Sequence, residues 1–391
     1  MSIVLNSCRP LRVLALALLT ATMMISCTTQ VEVVEFVAPV WPHPPDRPRF
    51  QYELTLRSEK SIYRKILKDQ FRKALTKNDG SPRVTLIKPF DVAAGKGRII
   101  VSDTVIRRVY IFDVPRREVL VFGAKGSGKL GKPLGVALDG TPHYYVVDAS
   151  IQRVLVYDDT GHFLKFIGTN EDFDRPTDVA VTEDGQRIYV VDAGGIDSRN
   201  HRVIAFNAAG EKLFTIGKRG KEFGQFNLPT HATVGPDGSL YVLDTGNFRV
   251  QVFDDTGKFL RSWGGVGKAF GQLARPRGIA VDLDGNVYVS DTKFGNFQIF
   301  NPKGQLLLAV GSFSPNLDKP GGFSLIAGIA VDETYRVYAV DQKFRKVEVF
   351  RRISEKDGDI MVQEFKEKAR ENLIKARQPK PRVDQKPQIL P

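Results

Sequence analysis

The sequence predicts an all-β chain folded as a six-bladed β-propeller, and three observations carry that prediction. In Leu228 to Gly264, LPTHATVGPDGSLYVLDTGNFRVQVFDDTGKFLRSWG, four runs of alternating apolar and polar residues are separated by turn residues such as Gly235-Pro236-Asp237-Gly238 and Asp255-Thr256-Gly257. That is the pattern of a four-stranded antiparallel meander. The same pattern begins again at Lys88, Lys132, Arg175, Arg275 and Ala327, at a period of roughly 40 to 50 residues that suits a propeller blade better than a helical repeat. The last copy stops after KVEVFRR without a fourth strand, while an unmatched strand, PRFQYELTL (Pro48 to Leu56), stands ahead of the first. A lone meander leaves both faces wet. Six of them around an axis bury each other's faces and leave only short edges, and the N-terminal strand is expected to complete the final sheet and clasp the ring.

These copies, KPFDVAAGKGRIIVSD, KPLGVALDG, RPTDVAVTEDGQRIYVVD, RPRGIAVDLDGNVYVSD and AGIAVDETYRVYAVD among them, resemble NHL repeats, and the resemblance covers the chain from about Arg49 to Ile353. It implies a six-bladed NHL-type propeller over residues 49–354, with two peripheral helices.

Ahead of the ring, residues 1–26 read as a lipoprotein signal peptide: Arg9 and Arg12 supply the positive region and Val13 to Met24 an apolar core too short to span a bilayer comfortably. Met24-Ile25-Ser26-Cys27 resembles a lipobox, which implies cleavage before Cys27 and an acyl lipid on its thiol. Cys8 falls in the removed part, so the mature chain has no second thiol for a disulfide and its core must hold it together. Thr28 and Thr29, with no Asp after Cys27, resemble the enterobacterial signal for the outer membrane. Residues 27–48 are a proline-rich tether. A basic amphipathic helix is expected over 58–75, with Ile62, Tyr63, Ile66, Leu67 and Phe71 on one face and lysines and arginines on the other. It can pack on the ring, or meet a membrane or a partner. Within the C-terminal segment 355–391, a second helix is expected over Asp359 to Arg377, followed by a disordered basic tail.

The net charge of +13 and the pI of about 9.6 would suggest nucleic acid for a cytosolic chain, but export points instead to an envelope protein or an acidic polymer as partner. A repeated Asp ends each second strand: Asp103, Asp148, Asp192, Asp244, Asp291 and Asp341. Because every blade has one, these carboxylates read as scaffold, each satisfying loop amides and the adjacent basic residue or amide that opens the third strand, Arg108, Arg153, Arg202, Arg249, Asn296 or Lys346. Asp282-Leu283-Asp284-Gly285-Asn286 looks like the start of a calcium loop, yet Lys293 stands where the bidentate Glu belongs.

Selectivity must come from residues that break the pattern. Two positions after the blade-opening proline, or at its equivalent, three copies carry Gly135, Gly278 and Gly328, whereas the others carry Asp91, Asp178 and His231. Two carboxylates and an imidazole could converge on a polar ligand or on Ca or Zn. Blade 3 also has a lengthened loop, Ala193 to His201, expected on the same rim and contributing Arg199 and His201, with Lys218-Arg219-Gly220-Lys221 beside it.

PTDVAV with Asp192 and Ser198-Arg199-Asn200 is similar to a segment of peptidylglycine amidating lyases, which implies a zinc held by three histidines. Of the five histidines only His231 stands at an inner-strand position, and Gly194, Gly195 and Ile196 replace the catalytic Tyr. The likeness therefore carries the fold and not the reaction. The expectation is a lipid-anchored, non-enzymatic binding scaffold, without a cofactor, using Asp91, Asp178, His231, Arg199 and His201 as one contact rim. The alternatives are a metal-dependent lyase or hydrolase at the same place and an accessory subunit of an envelope complex.

Overall fold

The computed structural model describes residues 36–62, 84–141, 143–317 and 319–377. The chain divides into Met1–Val37, of which only Phe36 and Val37 are described, both exposed, and Ala38–Pro391. The signal segment, Cys27, most of the helix expected over 58–75 and the tail after Arg377 lie outside the described residues. What is described of that helix's start is a single 3-10 turn, Glu59–Ser61.

Six antiparallel sheets follow one another, each in simple strand order. Blade 1 is Pro89–Gly95, Arg98–Asp103, Arg108–Asp113 and Glu118–Phe122. The alternation seen in the sequence explains its packing, because successive side chains leave a strand on opposite faces. Each apolar cluster is shared by two neighbouring blades: Ile100, Val109 and Ile111 of blade 1 pack with Tyr144, Val146 and Leu155 of blade 2, and Val340 and Val347 of blade 6 pack with Val92 and Val101 of blade 1. No blade has a core of its own, so the ring is the unit of stability.

Closure is made by the N-terminal strand. Phe50–Leu56 pairs antiparallel with Lys346–Arg352, from Phe50 opposite Arg352 to Leu56 opposite Val347, and supplies the fourth strand of blade 6. Val40–Trp41 adds a fifth strand outside it. The end of the proline-rich segment is thus part of the sheet: Trp41 meets the Phe350 ring edge-on at 5.4 Å. Beside the clasp lies a buried ion pair, Lys346 with Glu348, whose carboxylate also accepts a hydrogen bond from Gly321 N at 2.8 Å. Blades 4 and 5 fill the same place with neutral Gln251 and Gln298, which accept from Gly224 N and Gly271 N.

The C-terminal helix spans Glu355–Arg377 and so starts four residues before the expected Asp359. Ser354 caps it, its Oγ accepting from Asp357 N at 3.1 Å. The charged first turn offers no apolar periodicity by which to place that start.

The repeated Asp residues accept from loop amides in every blade, as repetition implied. Asp148 accepts from Gly131 N, Lys132 N and Ser150 N, and Asp291 from Ala274 N, Arg275 N and Lys293 N. Except in blade 3, where Asp192 holds the connector amides and Arg202, each staples the connector entering its blade to the loop between its second and third strands. The adjacent Arg joins in only in blades 3 and 4, through Arg202–Asp192 and Arg249–Asp244. In blade 1, Arg108 donates to backbone carbonyls instead.

Candidate functional site

Five of the six inner strands begin with a register shift just after their first residue, between Pro89 and Val92, Pro133 and Val136, Pro176 and Asp178, Pro276 and Gly278, and Ile326 and Ile329. Such a bulge re-aims the side chain beside it. In blades 1 and 3 that side chain is Asp91 and Asp178, and in blade 4 the equivalent position is His231. All three line a central channel of about 390 Å³ and each offers a ligand atom within 4.8 Å of the others.

Two of the glycines in that column are the other half of the arrangement. A Cβ on Gly328 would stand 2.1 Å from Asp91 Oδ1. Blade 6 therefore leaves the volume that the blade 1 carboxylate occupies. The second oxygen of Asp91 accepts from Val136 N of blade 2 at 2.9 Å, and Asp178 likewise accepts from Ala232 N of blade 4 at 2.8 Å. Each carboxylate thus spans an interblade seam.

His231 is different. Its ring stacks on Phe90 at 6.1 Å and 19°, and both ring nitrogens are buried without a hydrogen-bond partner. Leaving such groups unsatisfied costs about 1–3 kcal/mol. Burial, and secondarily the charge of Arg277, lower the imidazole to about 3. The ring is therefore neutral, the state in which a nitrogen lone pair is available. Burial raises Asp91 to about 7, and burial together with the charge of Asp91 raises Asp178. Two carboxyls this close in a dry pocket resist ionising together. A divalent cation would relieve all three: it takes the lone pair, neutralises the carboxylates and completes the imidazole. The donor set of one nitrogen and two oxygens suits Zn²⁺ or Mn²⁺ better than Ca²⁺, which takes six to eight oxygens.

Below the trio the channel walls are apolar, formed by residues such as Val92, Val136, Val179, Ile279 and Ile329, and the far mouth carries Lys96, Glu183 and Glu333.

The structure does not assemble the expected five-residue rim. Asp91, Asp178 and His231 are 4%, 3% and 5% exposed, inside the channel and not on its lip; bulges stand beside the two aspartates, whereas His231 opens a strand of unbroken register. His201 is fully buried; its Nε2 donates to Gly195 O and its Nδ1 accepts from Leu228 N, so it braces the lengthened loop from within. Arg199 alone of the five is exposed. Sequence reasoning missed Phe90 and Arg277. Both stand in the column one residue earlier, which reads Phe90, Leu134, Thr177, Thr230, Arg277 and Ala327. That variability was the available signal.

The family model for the NHL repeat matches residues 173–206 and 226–253. No curated protein matches the chain in sequence. Among solved structures it is similar to a streptogramin B lyase, at 12% identity and a TM-score of 0.51, over 69% of this chain and 95% of that one. It is also similar to a gluconolactonase from Xanthomonas campestris, at 18% identity and 0.51, over 82% and 99%, and to a Bacteroides thetaiotaomicron protein of unknown function, at 18% and 0.51, over 71% and 73%. At these identities the likeness is one of fold.

Proposed function

We propose that this NHL-repeat propeller is a cation-dependent site for a small ligand, carried on the cell envelope by an acyl lipid at Cys27. The observation that supports it most is His231: a neutral imidazole, both nitrogens buried and unpartnered, with two carboxylates that each offer a ligand atom within 4.8 Å of it. In this reading Asp91, Asp178 and His231 hold the metal, and the Val136 and Ala232 amides fix the two carboxylates in place.

With three protein ligands, a bound Zn²⁺ or Mn²⁺ keeps open positions and supplies Lewis-acid polarisation or an activated water. The chain's own part is to exclude bulk water with the apolar walls and to admit the ligand along the channel. A site buried this deeply suits a small molecule, and the reaction class is that of a metal-dependent lyase or hydrolase. The trio is too deep to grip a macromolecule. A non-enzymatic platform is a second reading for the rim, favoured by the exposed Arg199 and the loop that carries it.

Metal analysis of the purified chain after equilibration with Zn²⁺ or Mn²⁺ tests the site. One equivalent per chain is expected, falling to background in His231→Ala and in Asp178→Asn. Binding that survives both substitutions overturns the assignment.

A further inference from the structure

The two ends of the ring differ in charge. The loops between second and third strands and the connectors between blades share one face, while the hairpin turns share the other. Of the loops joining second to third strands, those of blades 1, 3, 5 and 6 carry Arg107, Arg199, Lys293, Lys343 and Arg345 against Asp197. The connectors on the same face add Lys125, Lys129, Lys218, Arg219, Lys221 and Lys268 against Glu171, Asp172, Asp174 and Glu222. The hairpin turns at the other end carry more acids, among them Asp158, Asp159, Glu183, Asp254, Asp255 and Glu333, than bases, which are Lys96, Arg116, Arg117, Lys258, Lys303 and Arg336. A charge separation of this kind orients a protein in the field of a charged surface.

The basic face is also studded with apolar side chains. Val105, Ile196, Val266 and Phe313 are 55%, 74%, 68% and 58% exposed. They come from four separate loops, which argues against the chance exposure of one element. Backbone bonds hold the connectors beside their neighbouring loops on this face: Arg219 N donates to Arg199 O, Gly265 N to Phe248 O and Phe313 N to Phe294 O. Apolar tips interleaved with cations are the composition that settles into the boundary between headgroups and acyl chains.

The course of the chain agrees. Phe50–Leu56 runs toward the basic face, since Leu56 pairs with Val347 near the start of its partner strand. Val40–Trp41 runs antiparallel to it, and Tyr52 N donates to Pro39 O at 2.9 Å. Ala38 to Trp41 therefore enters the sheet from the basic side. Cys27 precedes Ala38 by 11 residues, an extended reach of up to about 40 Å.

We propose that this face docks on an anionic lipid surface, with Val105, Ile196, Val266 and Phe313 entering the interface and the surrounding Lys and Arg side chains meeting the headgroups. The acidic end, with the channel mouth at Glu183 and Glu333, then faces the water. The inference rests on the envelope reading for the source of the lipid and is independent of the cation site.

The test uses the acylated chain on vesicles whose acyl chains are brominated. Once Cys27 is acylated and the signal removed, Val266→Cys or Glu333→Cys gives a single reactive thiol for an environment-sensitive fluorophore. On phosphatidylglycerol-containing vesicles the label at 266 should shift to the blue and be quenched, and the label at 333 should do neither. The triple variant Arg219→Glu, Lys293→Glu, Arg345→Glu should weaken that insertion about a hundredfold or more, at about 1 kcal/mol per basic residue near the surface. A label at 266 that stays in water, as it would if the face served an acidic protein, overturns the proposal. So does quenching at 333, or insertion that ignores the charge reversals. Flotation of the same samples reads the acyl anchor separately, so a missing anchor and a wrong face give different results.

Discussion

Asp178 Oδ1 stands where Gly135 would carry a Cβ, 2.0 Å from that position. A carboxylate of blade 3 is thereby packed into volume that blade 2 leaves vacant, and Gly328 and Asp91 repeat the arrangement across the seam between blades 6 and 1. Gly135→Ala and Gly328→Ala should each displace a carboxylate, costing about 1–3 kcal/mol of stability by overpacking and weakening cation binding. Gly278→Ala is the control: its Cβ meets the Ala327 carbonyl at 2.7 Å, so it should destabilise the ring while the site still binds. Urea titration beside metal analysis reads both effects.

The unpartnered imidazole gives a prediction that separates a ligand from a structural histidine. His231→Leu removes two unsatisfied nitrogens and keeps an apolar side chain against Phe90. Without metal, the variant should equal the parent in stability or exceed it by about 1 kcal/mol, while losing the stabilisation that Zn²⁺ or Mn²⁺ confers. A large loss of stability in metal-free buffer would mean that the ring had been packing, and nothing more.

Proton linkage fixes the pH dependence. Asp91 is raised to about 7, so in the absence of metal the folded chain holds that proton where the unfolded chain has released it. Its contribution is present below the unfolded value and is lost as pH rises toward 7. His231, lowered to about 3, acts in the opposite sense: its contribution is present above its ordinary value of 6.5 and is lost as pH falls below it. Relative to the parent, Asp91→Asn should gain stability as pH rises from 4 to 7. Cation affinity of the parent should increase with pH through about 7 and beyond, because the metal displaces the Asp91 proton and also that of Asp178, which burial and the charge of Asp91 hold on. Calorimetric titrations in a series of buffers measure both.

The ion pair beside the clasp makes a fourth case. Lys346→Met leaves the Glu348 carboxylate buried without its cation and should cost about 3–5 kcal/mol. The double variant Lys346→Met, Glu348→Gln imitates blades 4 and 5, where Gln251 and Gln298 already bond the connector amide. It should recover most of that loss in thermal unfolding.

What the sequence determined by itself was everything that repeats. Alternation at period two, turn residues at each reversal and a strand left over at the start fixed six sheets and the closure through Phe50–Leu56, because each rests on local pattern and on the need of every blade for a neighbour. It also marked Asp91, Asp178 and His231 as departures from the repeat. Tertiary structure decided which way they point and what surrounds them. Bulges stand beside Asp91 and Asp178, Gly135 and Gly328 make room for them, and Phe90 covers His231. Arg199 and His201 looked equivalent as neighbours in one loop, yet one is exposed and the other fully buried. These are contacts between blades tens of residues apart, and no periodicity along the chain encodes a distance across the ring.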